Sequence, residues 1–229
     1  MDYDYSLLLN GFIGANPTVD LIILQLMGNT LLKGVPVMLV IWRLWMIPGS
    51  DMARRRAGLA GVLAASVIGL ALGRILALTL PYSARPIHTP GHDVTLATGL
   101  EADVLDGWSS MPSDHAVMYF ALGVGILLVH RGWGIAALFH ALVLVSLPRI
   151  VLGFHWPSDI LVGATIGTVT ALILVPLLRR VFLEGGLLAW LEARPGLSYP
   201  LLFLATQQLA TMFDTSRALL SFVKDITLG

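Results

Sequence analysis

The sequence predicts an all-α polytopic membrane bundle of five to six transmembrane helices with an outward-facing active site. Three observations carry that expectation. Of 229 residues, 56% are hydrophobic and only 12% charged, with mean hydropathy +0.82; soluble chains run nearer a quarter charged. Several apolar runs reach the roughly 20 residues that a spanning helix needs. The basic residues between those runs fall on alternating connections. Formal net charge is zero, with 14 basic and 14 acidic side chains, so the basic excess of a nucleic-acid binder is absent. No cysteine is present, which excludes disulfides and thiolate metal sites.

The elements follow in order. The start, MDYDYSLLLNGFIGANP, lacks a basic region and opens with two aspartates, so no cleavable signal peptide is expected. The spans are part of 19–47, then 57–80, 116–129 with its flanks, 133–152 and 160–178. Arg54, Arg55 and Arg56 lie between the first two, Arg131 between the third and fourth, and Arg179 and Arg180 after the fifth. The positive-inside rule makes those connections cytoplasmic. The long loop 81–111 and the link 153–156 then face outward, into the periplasm or cell exterior if the membrane is a bacterial inner membrane. The C-terminal segment 182–224 reads as amphipathic or as a sixth span. Its part 201–223 carries Gln207, Gln208, Asp214 and Arg217 and is expected along the cytoplasmic interface or packed on the bundle. The whole of 1–229 reads as one domain.

Polar residues collect on the outer side. Arg85-Pro86 closes the second span, Pro112-Ser113-Asp114-His115 opens the third, and Arg149, His155 and Asp159 follow in PRIVLGFHWPSD. Two guanidinium forks suit a tetrahedral oxyanion held bidentately, which points to phosphate. A serine-led helix start adds free N–H groups and the positive dipole end. Two histidines offer a nucleophile and a general acid. Asp159, four residues after His155, is placed to hold one imidazole nitrogen and leave the other free to attack. Singly, each histidine also suits a helix end and each arginine a snorkelling anchor; their convergence on one face favours chemistry.

This ordered set, RP, PSDH and R-x5-H-x3-D, resembles the type-2 phosphatidic acid phosphatase superfamily. Its motifs run K-x6-R-P, P-S-G-H and S-R-x5-H-x3-D, and the resemblance covers roughly 73–167, with the motif residues within 74–159. It implies that His155 attacks phosphorus to form a phosphohistidine, that Asp159 orients it, and that His115 protonates the departing oxygen and then activates water. Arg85, Arg149 and Ser113 would hold the phosphoryl oxygens. No metal and no cofactor is implied.

Three positions depart from the pattern. Leu78 stands where the first motif has lysine; Arg74, one turn earlier on the same helix face, is the first substitute and Lys33, an ionisable residue in the first span, the second. Asp114 replaces the motif glycine and shades the substrate, since P-S-D-H recurs among undecaprenyl-diphosphate phosphatases of the family. A cation such as Arg74 or His88 is expected to neutralise it. Pro148 replaces a serine and removes a hydroxyl.

The resemblance implies an integral-membrane phosphatase acting on a lipid phosphate or diphosphate at the bilayer surface, with undecaprenyl diphosphate favoured. Phosphatidic acid or phosphatidylglycerol phosphate are alternative substrates. A lipid phosphotransferase and a catalytically inactive lipid binder are the competing readings. The loop residues His88, His92, Asp93, Glu101, Asp103 and Asp106 are expected either as a lid over the head group or as a solvated loop. The sequence does not define an oligomeric state.

Overall fold

The computed structural model describes residues 2–228, and every regular element among them is helical. Local punctuation explains the breaks. After α1 (Asp2–Asn10), the Asn16 side chain accepts from Thr18 N–H and Pro17 opens α2 (Pro17–Gly28). Asn29 ends α2 and caps α3 (Thr30–Lys33) through Leu31 N–H. Then come α4 (Val35–Met46) and α5 (Met52–Thr79). Ser113 caps α6 (Asp114–Val129), and His130 caps α7 (Arg131–His140). A π-helical stretch, Ala141–Ser146, joins α7 to α8 (Leu147–Val151). Last are α9 (Pro157–Glu184), α10 (Leu187–Glu192), α11 (Pro195–Ala210) and α12 (Asp214–Leu228).

Three stretches, Met52–Thr79, Arg131–Val151 and Pro157–Glu184, are long and apolar enough to cross a membrane; α2, α4 and α6 are apolar but shorter. The bundle centres on α5, α6 and α9, which enclose Val62, Met118, Tyr119, Leu122, Ala171 and Val175. Outside, Leu161, Val169, Leu172 and Ile173 of α9 and Ile75 and Leu78 of α5 stay exposed. An apolar patch of that kind suits lipid better than water.

Glycine sets the closest approach. A Cβ on Gly163 would come within 2.7 Å of Ser113 O, and one on Gly167 within 2.9 Å of Ala121 N and still closer to Val117 O. The backbones of α6 and α9 therefore touch along this GATIG stretch, as small residues four apart permit in membrane helices. This contact sets the beginnings of the two helices, with His115 on one and Asp159 on the other, side by side.

The bundle has two ends. At one, Arg55 Nε donates to Leu44 O at 2.8 Å and Arg56 Nε to Trp45 O at 3.0 Å, satisfying the last carbonyls of α4. Arg56 also pairs with Glu192 at 2.8 Å. The other end carries Arg85, His115, Arg149 and His155 around a cavity.

One expectation needs correction, and a second narrows to one of its alternatives. The first apolar stretch is not one helix: Asn29 interrupts it, and Lys33 stands at the cavity end of α4 rather than within a span. The side chain of Asn29 is taken by Gln25 and by the Leu31 N–H. Of the two placements expected for the C-terminal segment, the bundle rather than the arginine-end interface is the one it takes. Residues 182–184 belong to α9, and α11 climbs α4 from the arginine end, with Trp42 Nε1 donating to Thr206 Oγ1 at 3.1 Å and Gly34 against the Ala210 backbone. Met212 and Phe213, both at positive φ, then turn the chain so that α12 begins at the cavity. The break is a backbone turn at two residues, neither of them glycine, so no turn-forming residue type announces it in the sequence.

Candidate active site

The second catalytic-type histidine is placed by a turn. Gly153, at φ +71, reverses the chain after α8, and the N–H groups of Phe154 and His155 both return to Arg149 O, at 2.9 and 3.2 Å. A side chain there is strained by the left-handed backbone and would also press on Ile87 and Val94. His155 is thereby presented to a cavity of about 400 Å³, lined also by Lys33, Arg74, Arg85, His115, Arg149, Asp114 and, from α12, Asp214 and Arg217.

The imidazole is held at one nitrogen. His155 Nδ1 lies 2.8 Å from Ser110 O; a carbonyl only accepts, so this bond puts the proton on Nδ1 and leaves the Nε2 lone pair free. Nε2 sits 3.4 Å from Arg85 Nη1. Asp159 Oδ2 is 3.5 Å from Nδ1, accepts from Trp156 N–H at 2.7 Å, and takes a short hydrogen bond from Ser110 Oγ. Asp159 thus stands beside Nδ1 as expected, but Ser110 carbonyl makes the closer contact, and Asp159, fully buried, holds Ser110 as well. Sequence reasoning passed over Ser110, though it lies three residues before the capping Ser113. Ser110→Ala is expected to lower turnover about tenfold, the scale of one hydrogen bond to a charged group, with KM within about twofold, as initial-rate kinetics would report.

Burial lowers the pKa of His155 from its ordinary value, with the hydrogen bond to Asp159 opposing. Arg85, outside the helices, donates through Nη1 to Phe154 O at 2.6 Å, through Nε to Trp108 O at 3.2 Å and through Nη2 to Ser109 O at 3.3 Å. Burial also pulls its pKa down, with Asp159 and Asp114 opposing. These bonds fix the fork beside His155.

Arg149 is 2% exposed, donates to Met27 O at 3.2 Å and to Val145 O, and still reaches the cavity wall. His115 lines the cavity with its Nε2 buried and without a partner. Ser113 goes elsewhere: fully buried, its Oγ accepts from Ala116 N–H at 3.5 Å, and it is not among the cavity-lining residues. The hydroxyl caps α6 rather than facing the cavity.

Arg74 answers two questions. It lines the cavity, lies 3.7 Å from Asp114 and stacks 4.3 Å from the Trp108 ring centroid, while Leu78 is 71% exposed on the outer surface. Arg74, not His88, is the cation at Asp114; His88 is spent on Val104 O at 2.9 Å. The long loop does cover the cavity, but with Val104, Leu105, Trp108 and Ser109. His92 packs instead on Tyr3 and Trp156.

Fold and site together define a helical bundle apolar enough for a membrane, with a cavity lined by arginines and two histidines at one end. Comparison with known families places it further: the chain belongs to the PAP2 superfamily, whose profile matches residues 57–182. It is 36% identical over 63 residues to the Escherichia coli (strain K12) protein YbjG, provisionally named an undecaprenyl-diphosphatase; the match covers 28% of this chain and 32% of that protein. It is 39% identical over 66 residues to the bacitracin transport permease protein BcrC of Bacillus licheniformis, covering 28% of this chain and 31% of that protein. Each match therefore spans about a third of the relative's length. No solved structure matches.

Proposed function

We propose that the protein hydrolyses a lipid diphosphate, undecaprenyl diphosphate being favoured, by way of a phosphohistidine on His155. One observation carries this reading: an imidazole anchored through Nδ1 on Ser110 O, with Nε2 unprotonated at the cavity wall, 3.4 Å from Arg85 Nη1. In the first step the Nε2 lone pair bonds to the terminal phosphorus while the bond from phosphorus to the bridging oxygen breaks. His115 Nε2, buried and unpartnered, gives that oxygen its proton, and the lipid monophosphate leaves. In the second step His115 takes a proton from water, the water oxygen bonds to phosphorus, and the N–P bond breaks to release phosphate. Arg85, Arg149 and Arg74 hold the phosphoryl oxygens as charge moves onto them.

The charge balance favours a diphosphate over a monoester. Lys33, Arg74, Arg85, Arg149 and Arg217 face the cavity against Asp114 and Asp214. The cavity draws on helices from α2 to α12, which supports reading 1–229 as one working unit. Arg54, Arg55, Arg56 and Arg131 stand away from the cavity, which supports an inner-membrane protein with its site facing the periplasm or cell exterior.

Phosphate release by the purified chain in detergent with chelator present tests the reading. Undecaprenyl diphosphate is expected to be preferred to phosphatidic acid and phosphatidylglycerol phosphate; absence of release from all three would end it. The pH profile adds a second check. Because the folded protein lowers the His155 pKa, Nε2 stays unprotonated below the ordinary value of about 6.5. The acidic fall in kcat/KM is therefore expected below pH ~6.5. Asp159 opposes this shift, so Asp159→Asn is expected to move the fall lower still while reducing turnover.

A further inference from the structure

Lys33 is the least explained charge in the molecule. It is 6% exposed, lines the cavity, and its ammonium makes no hydrogen bond or ion pair among the described residues. A buried ammonium without a partner is costly. Its surroundings make the cost worse: Arg149 and Arg217 act on it repulsively, and only the charge of Asp214 opposes them. Asp214 is itself paired with Arg217, at the half-exposed start of α12. A position of this kind is stable when an anion sits between the cations.

In the proposed reaction the attacked phosphate takes Arg85, Arg149 and Arg74. Arg85 stands at His155, and Arg74 stands at Asp114 and Trp108. Lys33 and Arg217 lie outside residues 57–182, the part that matches the family; they come from α3 and α12, which the fold brings to the cavity from opposite ends of the chain. His115 lines the same cavity, and the charges of Arg149, Lys33, His155 and Arg217 all act on it. A ligand with one phosphate fills one group and leaves the other bare. A ligand with two phosphates joined by one oxygen fills both and places the bridging oxygen near His115.

We infer that Lys33 and Arg217 form a second phosphate seat, which holds the inner phosphate of a lipid diphosphate while the outer one faces His155. The inference rests on the proposed phosphatase reading and adds the residues that discriminate diphosphate from monophosphate. Asp214 is the resting counter-ion of this seat, and it competes with the ligand for Arg217.

The test has two arms on the purified full-length chain in detergent. Calorimetry measures binding of inorganic pyrophosphate, and initial rates compare a lipid diphosphate with the monophosphate of the same tail. Lys33→Met and Arg217→Gln are each expected to weaken pyrophosphate about tenfold and to lower the diphosphate-to-monophosphate ratio of kcat/KM by a similar factor, the scale of one charge-assisted contact. Arg217→Lys is expected to restore part of the loss, and Asp214→Asn to tighten pyrophosphate by about threefold. Lys33→Met is also expected to raise the melting midpoint of the ligand-free protein, because an unpaired buried charge is removed. Pyrophosphate affinity and the kinetic ratio both unchanged in the Lys33 and Arg217 variants would overturn the seat while leaving the reaction standing. Weakened pyrophosphate in a protein that releases phosphate from no lipid would keep the seat and overturn the reaction.

Discussion

His155→Ala is expected to reduce phosphate release from a lipid diphosphate by at least about 10⁴-fold, the scale on which removal of an attacking group acts. The fold should survive. His155 sits in the short link between α8 and α9, and its backbone N–H, bonded to Arg149 O at 3.2 Å, stays in place after truncation. The measurement is single-turnover phosphate release, with far-ultraviolet circular dichroism and the melting midpoint as controls. Wild-type enzyme quenched in alkaline detergent should carry a base-stable, acid-labile phosphoryl group that the variant lacks. A variant that keeps a tenth of the wild-type rate would show that another group attacks phosphorus.

Gly167→Leu is expected to damage the whole molecule. Its Cβ alone would press into the Val117 carbonyl and within 2.9 Å of Ala121 N, and backbone of a packed helix does not give way as a flexible side chain does. Overpacking commonly costs about 1–3 kcal/mol, occasionally more, and here the added bulk meets main chain. We expect a large fall in melting midpoint in detergent and loss of activity, because α6 and α9, which carry His115 and Asp159, are pushed apart. Gly196→Ala provides the contrast. Nothing lies within 4 Å of a Cβ there, and alanine is the better helix former, so the midpoint should hold or rise slightly.

The two substitutions probe parts of the protein that differ in how plainly they can be read from residues alone. His155 stands within an ordered set of short polar motifs in a greasy chain, and polar residues at such places are costly unless they have a task. Gly167 is one of 23 glycines, and only the GATIG spacing hints at its packing role. Ser110 was legible in the same way, as the second serine of SSMPSDH, yet the sequence does not say that its carbonyl rather than the Asp159 carboxylate is nearest to His155 Nδ1. The cap of α6 by Ser113 is a local hydrogen bond, three residues long, and the sequence supports that reading beside the phosphate-binding one.

By itself the sequence determined the class of the protein: a mostly apolar helical chain with neutral net charge, arginines at one set of connections, and a cluster of arginine, histidine and aspartate at the other. Those features follow from composition and short-range spacing, since a helix and its caps are made by neighbours in the chain. Only the tertiary structure decided which residues share the cavity. It brought Arg74 to Asp114 and left Leu78 outside. It placed Lys33 and Arg217, 184 positions apart in numbering, on one wall system, and it sent α11 along α4 so that α12 begins beside the histidines. These pairings rest on backbone turns at Asn29, Gly153, Met212 and Phe213 and on glycine contacts between helices. Such contacts depend on where distant segments meet, and no local pattern of polar and apolar residues encodes that.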